Sequence, residues 1–448
     1  MRLDLKKSLP PIYSKITHAR PDHMCLLLDS NNFKTQSQMV KISYFFNLKL
    51  LPGNEKDMLL YPEVGKDRKF WFSYLVIIHF QHNLLTLVHS LSASGSREPN
   101  QQIHHVHGEN TQEMETTRLS DSAIPWSRYL QFFDEFSKDE NTKFSKQYLE
   151  ITCLAEDNRK AEGFTTSIGL QPNNMTLNQY SDTLPYDQCR VILGYRCRSS
   201  QQTHNDYINA SFIHHILPCI NEHVEMDFGK IDYIATQGPL ESTCGDFWRM
   251  MMEQGSTIIV MLTNLRDDRG QVCAQYWPER VREKKEFISD NLLTTVELVR
   301  TKHHEELFER KFHVQFSAEP GKQTIVRQLH MTSWPDMDVP DLVHFEKLLS
   351  RHSDLKMHDE TVGPTVVHCR AGVGRTGTFI AADVLRKHLQ TTNPTVNIPG
   401  IVLQLRRCRP CMIDNLKQYV YLHIYAKKLI EQRANQFHSI AGLKTETE

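Results

Sequence analysis

The segment PTVVHCRAGVGRTGTFIAADVL, Pro364 to Leu385, constrains the fold of this chain more than any other. Its apolar β-run ends at His368, a loop containing Gly372 and Gly374 follows, and Thr376 to Leu389 continues as a helix. Strand, small-residue loop and helix start, in that order, point several backbone N–H groups at one anion. The glycines let the backbone curl and approach closely. Cys369 begins the loop. The dipoles of a helix start and Arg375, six positions on, favour its thiolate, the nucleophilic form. Arg375 can hold two phosphate oxygens with its planar fork, and Thr376 can donate a hydroxyl hydrogen bond to the sulfur. A buried structural cysteine beside a surface arginine is the plainer reading of that spacing alone. His368, the two glycines, the upstream strand and the downstream helix weigh against it.

The surroundings suit such a loop. Residues 125 to 155 have helical spacing around Trp126, Tyr129, Leu130, Phe132, Phe133, Phe144, Tyr148 and Leu149. Short β-rich runs follow at Thr257 to Leu262, Thr294 to Arg300 and Thr365 to Val367. The pattern predicts an α/β (α+β) domain, a mixed sheet flanked by helices with its site at strand ends. No internal repeat is present. The domain is expected over residues 123–433, with a polar tail at 434–448 and an N-terminal region at 1–122.

That N-terminal region holds one apolar stretch, residues 70–91, uncharged and about the length of a membrane span. It also carries Ser73, His79, Gln81, His82, Asn83, Thr86 and His89, which are costly in hydrocarbon. Lys66, Arg68 and Lys69 before it would leave the following domain outside the cell. A buried or loosely folded segment is therefore preferred to membrane association, and Ser92 to Asp121 reads as linker. Net charge of −1, from 52 basic and 53 acidic residues, gives no field that would attract nucleic acid. Ten scattered cysteines and a start without a secretory signal predict reduced thiols and a cytoplasmic catalytic domain. Cys408 and Cys411 form a CxxC without a second pair, so no metal is expected there.

Several separated motifs now resemble the protein tyrosine phosphatase family, over about 310 residues. NQYSDTLPYD (Asn178 to Asp187) is similar to its phosphotyrosine loop. DYINASFI (Asp206 to Ile213), YIATQGPL (Tyr233 to Leu240), DFWRMM (Asp246 to Met251), Val260 to Pro278 and SWPD (Ser333 to Asp336) follow in the family's order. The spacing from Asn397 through Arg409 to Tyr419 and His423 is most similar to receptor-type members. The resemblance implies a highly twisted mixed sheet and hydrolysis of phosphotyrosine through a phosphocysteine intermediate. Cys369 would be the nucleophile, Arg375 the phosphate clamp, Thr376 the donor to the leaving sulfur, and Asp336 the general acid on a mobile loop. Arg370, Ala371, Gly372, Val373 and Gly374 would cradle phosphate. Tyr180 would wall a deep cleft, Asp182 would grip the substrate backbone, and Gln418 would position water. His368 and Trp334 would support them. Phosphotyrosine-containing proteins are the implied partners, no cofactor or metal is implied, and the sequence carries no signal of oligomeric state.

Departures from the family pattern qualify this. Arg370 stands for a serine, Gln179 for an arginine, Val272 for a lysine, Asp338 for a glycine just after the acid, and Asp414 for the first of two glutamines. The last adds negative charge beside a dianionic phosphate, and together they are expected to lower turnover, with Asp338 altering the loop's hinge. The alternatives are a weakly active or inactive phosphotyrosine-binding scaffold and, on Arg370 alone, a phosphoinositide phosphatase.

Overall fold

The computed structural model describes residues 123–445 except 195–205, 219–228, 269, 359–362 and 393, together with two short strands, β1 (Leu48–Leu50) and β2 (Leu60–Pro62). The apolar stretch 70–91 and the linker 92–121 lie outside the described residues. The chain divides into two compact units, Met1–Gln112 and Glu113–Glu448. In the first, β1 and β2 pair antiparallel.

The second unit opens with β3 (Ile124–Pro125), α1 (Trp126–Phe136), α2 (Lys138–Ala161) and α3 (Pro172–Met175). Then come β4 (Arg190–Ile192), β5 (Tyr207–His214), β6 (Ile231–Thr236), α4 (Cys244–Glu253) and β7 (Ile258–Met261). A small hairpin, β8 (Arg266–Asp267) and β9 (Gly270–Gln271), precedes the long β10 (Lys284–Ser289), β11 (Leu292–His304), β12 (Leu307–Phe316) and β13 (Gln323–Met331). The remainder is α5 (Leu342–Met357), β14 (Thr365–His368), α6 (Gly374–Leu389), β15 (Thr395–Val396), α7 (Ile398–Cys408) and α8 (Leu416–Thr445). The helix expected over 125 to 155 is interrupted, because Asp139, Glu140 and Asn141 adopt positive φ. The tail expected at 434–448 is helical through Thr445.

Nine strands form one mixed sheet in the order β10-β11-β12-β13-β7-β14-β6-β5-β4. The four central strands, β13, β7, β14 and β6, run parallel, and antiparallel strands flank them on both sides. Both faces of the centre are covered, which explains why β7 (IIVM) reads as an unbroken apolar run. In β7, Ile258 and Val260 join the core beneath α1, α2 and α5 to α8, while Ile259 and Met261 join the core beneath α4. In β14, Val367 faces the first core and Val366 the second. The parallel centre delivers the end of β14 and the start of α6 to one edge of the sheet, where the Cys369 loop lies.

Candidate active site

β14 ends on His368, whose ring is fully buried. His368 Nδ1 faces the Cys369 carbonyl, which can only accept, at 3.2 Å, so the imidazole carries its proton on Nδ1. Its Nε2 is then an acceptor for the Tyr276 hydroxyl at 2.8 Å, and that hydroxyl accepts in turn from Gln328 Nε2 at 2.8 Å. Burial pulls the imidazole down to about 4, so it stays neutral. This chain of bonds fixes the strand end from which Cys369 projects.

The loop beyond is held from outside. Arg409, fully buried, donates to the carbonyls of Gly372 (2.9 Å) and Ala371 (3.1 Å) and to Asn209 Oδ1 (2.7 Å) and Ser211 Oγ (3.2 Å). A peptide's C=O and N–H point in opposite directions. Turning the Ala371 carbonyl out towards Arg409 therefore turns the Gly372 N–H in, where it donates to Cys369 Sγ at 3.3 Å. Gly372 makes the bend possible with φ +74°, and a Cβ there would overlap the Thr236 carbonyl. At Gly374 a Cβ would lie 2.9 Å from Gln418 Oε1. Ile413 N–H donates to the Val373 carbonyl at 3.3 Å, which stitches the segment before α8 to the loop. Burial pulls the Arg409 guanidinium down to about 10, a measure of what that position costs.

Arg375 lies in the first turn of α6 and donates to the Leu262 carbonyl (3.0 Å), the Trp334 carbonyl (3.2 Å) and Asp336 Oδ1 (2.8 Å). The other carboxylate oxygen, Asp336 Oδ2, is 3.8 Å from Arg370, which also donates to Asp267 Oδ2 (3.0 Å) and lies over the Tyr180 ring at 5.5 Å. Arg370 thus connects the walls carrying Tyr180, Asp336 and Asp267. A cavity of about 190 Å³ adjoins them, lined in part by Arg375, Asp336, Trp334, Asp267 and Val272. The buried Trp334 donates from Nε1 to the Asp338 carbonyl (2.9 Å), which closes the Asp336 loop on itself. Thr376 Oγ1 is buried without a hydrogen-bond partner. Asp182 is exposed and accepts from the Thr183 hydroxyl at 3.2 Å.

The departures occupy defined places. Gln179 Nε2 donates to the Val272 carbonyl at 2.9 Å, and its backbone N–H donates to Gln237 Oε1 at 2.9 Å. Two substitutions 93 residues apart therefore form one contact. Positive φ in the Asp336 loop falls on Met337 (+57°) and not on Asp338. Asp338 has no need of a glycine and instead accepts from Val339 N–H (3.0 Å) and from Lys417 on α8 (3.2 Å). Gln418, 2% exposed, is positioned by Asn415, whose Oδ1 caps its backbone N–H at 3.0 Å. Asp414 N–H donates to Gln418 Oε1 at 3.1 Å.

Sequence reasoning missed Asn209, Asn178 and Asp267 and gave Arg409 no role. Asn209 both accepts from Arg409 and donates to Asn178 Oδ1 (2.9 Å) and the Thr183 carbonyl (2.9 Å), joining the Cys369 loop to the Tyr180 loop. The motif DYINASFI contains it, but only the folded chain reveals the partners.

A buried cysteine whose Sγ accepts from the Gly372 N–H, on a loop that runs into a helix opening with an Arg375–Asp336 ion pair, defines the class of site this mixed α/β sheet presents. Residues 174–427 match the family model for protein-tyrosine phosphatase, and the chain belongs to that family. It is 36% identical over 313 residues to the phosphatidylinositol phosphatase PTPRQ of Rattus norvegicus, an alignment covering 68% of this chain and 12% of that one. With the receptor-type tyrosine-protein phosphatase eta of Gallus gallus it shares 36% identity over 304 residues, 67% of this chain and 19% of that one. The chain therefore spans less than a fifth of either relative and resembles receptor-type members. Among solved structures, PTPN18 in complex with HER2-pY1196 phosphopeptides matches with 30% identity and a TM-score of 0.59, over 68% of this chain and 99% of that one. No helix among the described residues is long and apolar enough to cross a membrane.

Proposed function

We propose that this chain is an active protein tyrosine phosphatase that hydrolyses phosphotyrosine in proteins through a phosphocysteine intermediate. The observation that carries the reading is the Arg375–Asp336 pair at 2.8 Å, in a site where the Gly372 N–H already donates to Cys369 Sγ. A phosphate dianion entering the loop would take the Arg375 fork from Asp336, because a bidentate phosphate contact is the stronger partner. Released beside a phosphate dianion, the Asp336 carboxylate would take up a proton from solvent and so become available as an acid. Cys369 Sγ attacks phosphorus, the P–O bond to tyrosine breaks, and Asp336 protonates the departing phenolate oxygen, which otherwise leaves with a pKa near ~10. Water then cleaves the P–S bond and regenerates the thiolate, towards which the buried Thr376 hydroxyl can turn. Tyr180, held against Arg370, would form the wall that admits the longer phosphotyrosine and leaves phosphoserine short of the sulfur. The substrate class is in keeping with the phosphopeptide named with PTPN18.

The test is phosphate release by the full chain from phosphotyrosine peptide, phosphoserine peptide and phosphoinositide in parallel. Release from the first alone is expected. Binding of phosphotyrosine peptide without release would replace the enzyme with a scaffold, and preferential release from phosphoinositide would replace the substrate.

A further inference from the structure

The bonds that fix His368 begin beyond Gln328. Gln328 Oε1 accepts from Arg310 Nη1, on β12, at 2.8 Å, and the same nitrogen lies 3.2 Å from His330 Nδ1 on β13. A guanidinium can only donate. Its contact therefore assigns the two ends of the Gln328 amide and makes His330 Nδ1 an acceptor. The His330 proton is left on Nε2, which donates to the Thr263 carbonyl at 2.9 Å. At the other end, the Cys369 carbonyl can only accept. Between these two ends every hydrogen bond of the run Arg310–Gln328–Tyr276–His368–Cys369 points the same way. Gln328, Tyr276 and His368 are each 0% exposed, so water cannot replace a missing partner.

Arg310 is a costly residue for packing alone. Burial pulls its guanidinium below the ordinary value, and no carboxylate among the described residues offsets that. The rings of Trp277 (4.8 Å) and Phe308 (5.0 Å) hold it instead. An apolar side chain of similar length would fill the same place without stripping water from a charge. It would not supply the donor.

We propose that Arg310 is a positioning residue for the hydrolysis, acting through Gln328, Tyr276 and His368 on the peptide between Cys369 and Arg370. Holding the Cys369 carbonyl to His368 turns the Arg370 N–H, on the opposite edge of that peptide, towards the phosphate. The cation polarises each bond of the run in the sense that strengthens this donor. The inference rests on the hydrolase reading above.

Two variants of the full chain test it. Arg310→Met fills the place but removes the donor. Gln328→Glu gives Arg310 an ion pair but cannot donate, so the Tyr276 hydroxyl turns to the new carboxylate and away from His368. With p-nitrophenyl phosphate each should lower kcat about 10-fold, a fraction of the ~100-fold that an ångström of misplacement costs. Added to Tyr276→Phe, Arg310→Met should lower kcat by less than about two-fold, because a severed run transmits nothing. In the resting chain labelled with [15N]histidine, the His368 Nε2 resonance should move towards that of a free acceptor in both variants. The ring of His423, buried beside Tyr129, should not move, and it reports that each variant is folded. An unmoved His368 resonance would overturn the proposal. So would kcat within about two-fold of the parent in either variant, or additive losses with Tyr276→Phe. Absence of any nitrophenol from the parent chain would instead refute the hydrolase reading, and the proposal with it.

Discussion

Replacing Gly372 by alanine tests the geometry on which the site depends. The residue sits at φ +74°, and an added Cβ would overlap the Thr236 carbonyl and come within 2.7 Å of Gln237 N. The left-handed conformation costs a residue with a Cβ about 1 to 2 kcal/mol. Relieving the overlap means moving backbone of β6 or of the loop, at about 1 to 3 kcal/mol by analogy with overpacked cores. The sum is a loss of about 2 to 5 kcal/mol, to be read as a lower urea midpoint at unchanged slope. The same movement displaces the Gly372 N–H that donates to Cys369 Sγ at 3.3 Å. Shifts near 1 Å at reacting groups cost about 100-fold in rate, so kcat for an aryl phosphate should fall by about that factor. Stability within about 0.5 kcal/mol of the parent, together with turnover within two-fold, would refute the claim that this peptide is held inward under constraint.

Arg409→Lys keeps the charge but cannot reach the Gly372 and Ala371 carbonyls with one fork. It should lower stability by about 2 to 4 kcal/mol and kcat more than KM, checked by urea unfolding and steady-state kinetics. Asp336→Ala should reduce turnover strongly for phosphotyrosine peptide and little for an aryl phosphate with a very acidic leaving group, which needs no proton. Equal losses on both would remove Asp336 from the acid's role. Burial pulls His330 and His423 down to about 3 and His368 to about 4, so each takes up a proton below its ordinary value only on unfolding. Asp414, pushed up to about 6, binds a proton when folded and offsets one of the three. Stability should therefore fall by about 3 kcal/mol per pH unit as pH drops from about 6 towards 4. Urea midpoints flat across that range would contradict the buried, neutral histidines.

Much of this was legible because it is local. The strand into His368, the two glycines and the helix after them lie within one segment, and β14 and α6 form there with α6 starting two residues earlier than expected. The strand expected at Thr294 to Arg300 extends over Leu292–His304, since its last five residues are exposed and carry no apolar alternation to read. The break at Asp139–Asn141 was hidden by a charged run that would suit a helix surface equally well. The remainder is tertiary. Arg409 sits in the basic run RRCR, which reads as solvated surface, yet it is fully buried under the Cys369 loop. The contact of Gln179 with Val272 and that of Arg370 with Asp267 join residues 93 and 103 apart, and no spacing rule connects them.

The central claim is that catalysis passes through Cys369. Rapid acid quench of the full chain during turnover of phosphotyrosine peptide, followed by mass mapping of the cysteine peptides, tests it directly. The account predicts one phosphoryl group on the peptide containing Cys369. Cys369→Ser should carry none there, bind the phosphopeptide still and hydrolyse it at least about 1000-fold more slowly. Hydrolysis surviving in Cys369→Ser, or a phosphoryl group on any other residue during turnover, would contradict it.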